Sequence, residues 1–99
     1  MLIWLSGDYE VKSNQEAGFG RYDVTLIPRN QREAGIIIEF KKVNAKRRET
    51  KDNAMAKAFR QIEKQNYAAA LLERGVQQIR KLAIVFKGKQ VWVREKTER

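Results

Sequence analysis

At 99 residues the chain can build one hydrophobic core but not two, and 42% apolar with 33% charged side chains fits a folded domain, not a disordered tail. It has no cysteine and no histidine, which excludes disulfides, thiolate and imidazole zinc sites, cysteine nucleophiles and Ser-His-Asp hydrolysis. The net charge of +9 points to an anionic polymer as partner.

The charge is sorted along the chain. Residues 1–40 carry four basic and six acidic side chains, whereas residues 41–99 carry 17 basic and six acidic ones, so the excess reads as a binding surface. Any hydrolysis must run on carboxylates, lysine, hydroxyls and a hard cation with oxygen ligands. No apolar run approaches the roughly 18–20 residues of a membrane span, and the absence of cysteine suits the cytoplasm.

In chain order, the opening MLIWLS is apolar but short, without a basic leader or cleavage site, and reads as a stub of structure. Residues 8–13 (DYEVKS) alternate polar and apolar as a short strand, and 14–20, with Gly18 and Gly20, read as a turn. Residues 22–27 (YDVTLI) form a second strand ending at Pro28, and a loop runs from there to Gly35. Residues 36–40 (IIIEF) are apolar on both faces, which predicts a central strand.

Residues 44–52 (NAKRRETKD) read as a basic loop leading to a helix capped by Asp52 or Asn53. Met55, Phe59, Ile62 and Ala69 recur at helical spacing, which predicts one long helix ending at Gly75, with the first three in the core. Residues 82–86 (LAIVF) and 90–93 (QVWV), joined by KGK, predict a hairpin, and KTER a frayed end. Trp4 and Trp92 are expected to cover an exposed sheet face. There is no repeat, low-complexity tract or linker, so residues 1–99 form one domain. The order is three strands in a meander, a long helix, then two strands: an α/β fold with a mixed sheet.

The chemistry gathers at the strand ends. On a strand, Glu39 and Lys41 share a face about 6–7 Å apart, with Phe40 opposite. A carboxylate closing a buried strand is costly unless it is paired or bound to metal, and an ordinary strand-end salt bridge is the plain alternative. Asp23 interrupts the neighbouring run as RYDVTLI, and adjacent strands would bring it to Glu39. Two such carboxylates repel, and a divalent cation relieves this: Mg²⁺ takes one or two carboxylates plus waters and phosphate oxygens, and Mn²⁺ can substitute. Lys41 can orient or deprotonate the attacking water, or neutralise charge developing at phosphorus.

The succession EAGFGRYD, IIIEFK and a helix bearing QIEKQNY resembles the PD-(D/E)xK nuclease superfamily, in particular the nuclease-like domain at the C-terminal end of bacterial AAA-ATPase-like proteins. The resemblance implies a restriction-endonuclease-like core with a crossover helix between strands three and four. It implies a Mg²⁺- or Mn²⁺-dependent deoxyribonuclease, endonuclease rather than exonuclease, in which Asp23, Glu39 and Lys41 bind metal and activate water. Glu16 matches the family's preceding acid and would complete the metal shell, while Gln61 and Tyr67 match the glutamine and tyrosine that line the site, Tyr67 within reach of nucleic acid. Tyr22 stands where the family has proline.

The family's N-terminal helix looks truncated here to MLIWLS. That would leave a sheet face under-covered, so a homodimer, a partner chain or a larger assembly is expected. Lys42, Lys46, Arg47, Arg48 and Lys51 lie just beyond the strand of Glu39 and are expected to contact DNA phosphates; Arg21 either does the same or pairs with Glu16. Two rival readings remain: a non-catalytic nucleic-acid-binding module on the same fold, and an RNA-cleaving toxin or effector domain.

Overall fold

A computed structural model describes residues 8–16, 21–30 and 32–98. Five strands form one sheet in the order of the chain: β1 (Tyr9–Glu16), β2 (Arg21–Pro28), β3 (Gly35–Lys42), β4 (Ile79–Lys87) and β5 (Gln90–Glu98). β1 pairs with β2 and β2 with β3 antiparallel, as the predicted meander; β3 and β4 are parallel, and β4 and β5 form a hairpin. A parallel pair cannot be closed by a tight turn. The crossover consists of a 3₁₀ turn (Ala45–Arg47) and two helices, α1 (Lys51–Gln65) and α2 (Tyr67–Glu73). β3 is central, as its doubly apolar sequence predicted.

The period of two divides the sheet into unlike faces. On β3, Gly35, Ile37, Glu39 and Lys41 point one way, and on β4 their partners Ile79, Lys81, Ala83 and Val85 do the same. α1 buries Ala54, Met55, Ala58, Phe59 and Ile62 against this face, and with Leu71 of α2 they form the core. Gly35 is required where β3 passes under α2, because a Cβ there would lie 2.9 Å from Leu71 Cδ1. The other face is apolar: Val24 and Leu26 are buried, Tyr22 stacks on Phe40 at 4.4 Å, and Val91 and Val93 are exposed.

Several sequence expectations are corrected. α1 is capped by Thr50, whose Oγ1 accepts the Asn53 N–H at 3.1 Å, not by Asp52 or Asn53. The single long helix breaks at Asn66, which adopts φ 57°, although the apolar repeat continues through the break. Gly75 does terminate the helical segment with φ 85°. β1 runs on to Glu16 where a turn was expected from residue 14, and β5 continues to Glu98, so most of KTER is an edge strand. Trp92 packs on the core beside α1 instead of covering the open face. Trp4, the proposed N-terminal helical turn, Gly18 and Gly20 lie outside the described residues. Among the described residues no helix is long and apolar enough to cross a membrane.

Candidate active site

The site forms where β2 begins and β3 ends, beneath the helices. Asp23 and Glu39 are direct cross-strand partners, and residues so placed hold their Cβ atoms about 4.5–5.5 Å apart. Both are buried, Asp23 at 6% and Glu39 at 2% exposure. Their row across the sheet runs Asn14, Asp23, Glu39, Ala83, Arg94. The fully buried Ala83 leaves Glu39 flanked by a methyl group rather than a bulky neighbour. In the next row Glu16, Arg21, Lys41 and Val85 are partners by backbone register, and Lys41 lies on the face of Glu39.

Two carboxylates this close in a dry face are costly as a bare pair. The surroundings ease part of the cost at Asp23. The Tyr67 hydroxyl donates to its carboxylate, and Asn14 hydrogen-bonds the same phenol. Burial first, then the charge of Asp23 and the hydrogen bond to it, raise the Tyr67 pKa, so the phenol stays a donor; Asn14 acts in the opposite direction. The Oε2 atom of Glu39 is buried and makes no hydrogen bond to the described residues, although the carboxylate has other electrostatic contacts. Two adjacent hard-oxygen ligands, one of them oriented by a phenol, suit an oxyphilic divalent cation. Among the described residues no group of three or more acidic side chains that could hold a metal ion forms.

Lys41, two residues beyond Glu39 on the same face, is largely buried and lies 3.5 Å from Glu49 Oε1. Glu49 itself is half-buried, with its side chain largely covered; it accepts the Asn44 N–H at 2.9 Å and takes Lys57 Nζ on Oε2 at 2.6 Å. Burial pushes the Glu49 pKa up, but the Lys57 hydrogen bond, the Asn44 N–H and the Lys41 charge outweigh it and leave the pKa lowered.

The half-buried Gln61 faces the same depression beside α1 as Lys41. An adjoining depression is lined by Lys42, Arg47 and Arg48, and the two share Lys41, Lys57 and Arg60. Lys46 is exposed on the 3₁₀ turn, and Lys51 sits 5.2 Å above the Trp92 ring.

The structure therefore brings Asp23, Glu39 and Tyr67 together; Lys41 shares their face of the sheet, but its ammonium meets Glu49 in the depression it shares with Gln61, whereas Asp23 and Tyr67 line a different one. Tyr67, expected at the nucleic-acid surface, has its hydroxyl committed to Asp23. Glu16 and Arg21 are cross-strand partners by register, but their side chains lie outside the described set. Asn14 and Glu49 were not singled out in the sequence. Glu49 left one trace: it is the sole acid between Lys41 and Lys51.

A family model described as the PD-(D/E)XK nuclease superfamily matches residues 1–96. The chain belongs to the PD-(D/E)XK nuclease superfamily. Its mixed five-stranded sheet, with a helix between β3 and β4, is consistent with the restriction-endonuclease-like fold. PD-(D/E)XK nucleases typically use divalent metals. No curated protein and no solved structure matches the chain.

Proposed function

We propose that this PD-(D/E)XK protein hydrolyses DNA phosphodiester bonds internally, using Mg²⁺ with Mn²⁺ as a substitute, in the cytoplasm. The observation that carries the reading is the direct pairing of Asp23 with Glu39 on the buried face, with Lys41 next along that face. The two carboxylates would hold the cation, and Glu16, one register row further along β1, is the candidate for a third ligand. A cation bound there supplies Lewis-acid polarisation of a phosphate oxygen and a more acidic water.

The chain's own groups do the rest. Tyr67 fixes Asp23 by donating to it, which keeps one carboxylate in a set orientation. Lys41, paired with Glu49, acts as an ammonium that orients the attacking water and offsets charge developing on the phosphate. Gln61 borders the same depression and is placed to hold the water or a phosphate oxygen. Lys42, Arg47, Arg48, Lys57 and Arg60 would take the flanking phosphates, which positions the duplex without reading its sequence.

The test incubates the purified chain with duplex DNA, single-stranded DNA and RNA in Mg²⁺, Mn²⁺ or EDTA, alongside Asp23→Ala and Glu39→Ala. Internal cleavage of DNA in either metal, abolished by EDTA and by both substitutions, is expected. Cleavage that survives the substitutions would refute the site. Cleavage of RNA alone would support the effector reading, and salt-sensitive DNA binding without cleavage the non-catalytic one.

A further inference from the structure

We infer that Glu49 is a positioning residue for this hydrolysis: its carboxylate holds the ammonium of Lys41, which leaves the strand two residues beyond Glu39 on the face of the acid pair, and fixes Lys57 next to it, so that two cations meet the phosphate backbone at a set spacing. The inference rests on the nuclease reading above and adds a residue outside the Asp23, Glu39 and Lys41 set.

The first support is how Glu49 is held. The Asn44 N–H donates to Glu49 Oε1 at 2.9 Å, and the Glu49 N–H donates back to the Asn44 carbonyl at 3.1 Å. Val43, immediately before Asn44, is tied to the sheet by its N–H on the Phe86 carbonyl at 2.9 Å. The carboxylate is thus registered to β4 through the backbone, and its position does not depend on the lysines alone. Its side chain is only 4% exposed despite lying outside any helix or strand.

The second support is what the carboxylate holds. Oε1 faces Lys41 at 3.5 Å and Oε2 accepts from Lys57 at 2.6 Å, so one rigid anion spans two ammoniums. A lysine side chain has about 2 kcal/mol of rotamer entropy to lose on being fixed, and a group acting at a reacting phosphate must be held to within about 0.5 Å. Lys41 needs that restraint, because it emerges from the strand end two residues after Glu39. Lys57 is 53% exposed and borders both basic depressions, so its free face is available to a phosphate.

A loop staple alone would need only the Asn44 hydrogen bond. It would not require a charge, nor one aimed at the lysine of the acid face. Glu49→Gln separates the two roles, since the amide oxygen can still accept from Asn44 while the anion is gone.

The experiment measures steady-state cleavage of a duplex DNA oligonucleotide in Mn²⁺ by the full chain and by Glu49→Gln, Lys41→Ala, the double variant and Lys57→Gln. Mn²⁺ affinity and melting temperature are followed for each. Glu49→Gln should lower kcat about 10- to 100-fold, raise KM in the same direction as Lys57→Gln and keep Mn²⁺ affinity within about twofold of wild type, and its loss in kcat should add nothing further to that of Lys41→Ala. Lys57→Gln, an exposed change that does not threaten folding, should raise KM and leave kcat in place. Wild-type kcat in Glu49→Gln, losses that multiply with Lys41→Ala, or an unchanged KM in Lys57→Gln would overturn the inference while leaving the nuclease reading intact. A wild-type chain that cleaves nothing would instead sink the nuclease reading, and this inference with it.

Discussion

Two lysine–carboxylate contacts flank α1, and the partners are buried in opposite senses. Near its start Glu49 is the buried member, shared between Lys41 and the exposed Lys57. Near its end Lys81 is the buried member, 6% exposed, and its Nζ reaches up to Glu63, which is 65% exposed. At Lys81 the aliphatic stem fills space under α1 while the ammonium meets a solvated carboxylate, which is how a long cation is accommodated in a core. At Glu49 a carboxylate lies between two lysines, one of which, Lys41, is two residues beyond Glu39 on the face of the acid pair. The first arrangement supports packing; the second organises charge where chemistry would need it.

The largest expected contrast is in activity. Glu39→Gln should remove metal-dependent cleavage by about 1000-fold or more, since losing a metal ligand forfeits several kcal/mol of transition-state stabilisation. Lys81→Met should cleave at the wild-type rate under the same assay. Equal losses in the two variants would erase the distinction between the acid pair and the buried lysine under the end of α1.

Stability should separate the two contacts at α1 in the same direction. Glu49→Ala strands two lysines and an Asn44 N–H, and should cost about 2 kcal/mol in denaturant unfolding. Lys81→Met replaces the buried cation by an apolar chain of similar volume and leaves Glu63 in water, so it should be neutral or slightly stabilising. A large loss in Lys81→Met would show that its ammonium, not its stem, matters.

The smallest effect is the pH dependence. Glu49 has a folded pKa below its ordinary value of 4.5, so its contribution is complete above that value and is lost as pH falls through the lower folded value. Unfolding followed from pH 5 to lower values should therefore fall less steeply for Glu49→Gln than for wild type. Parallel curves would contradict the lowered pKa.

Much of this was legible in the sequence because β3 is a simple signal. Three isoleucines place the strand at the centre, the period of two then puts Glu39 and Lys41 on one face, and a short loop makes β2 its neighbour, which brings Asp23 across from Glu39. The helix break was hidden because one left-handed residue, Asn66, interrupts the backbone without interrupting the apolar repeat. β5 was read too short because a polar edge strand has no apolar partner on every alternate residue and so resembles a tail. Glu49 escaped because its role depends on tertiary contacts: in the chain it is one acid within a basic run, and only the fold brings Lys41 and Lys57 onto its two oxygens.

The most direct measurement is the anomalous scattering of a crystal soaked in Mn²⁺. One Mn²⁺ should lie about 2 Å from carboxylate oxygens of both Asp23 and Glu39, and Asp23→Asn should lose it. A crystal in which manganese binds elsewhere, or in which the two carboxylates stay apart without it, would contradict the account.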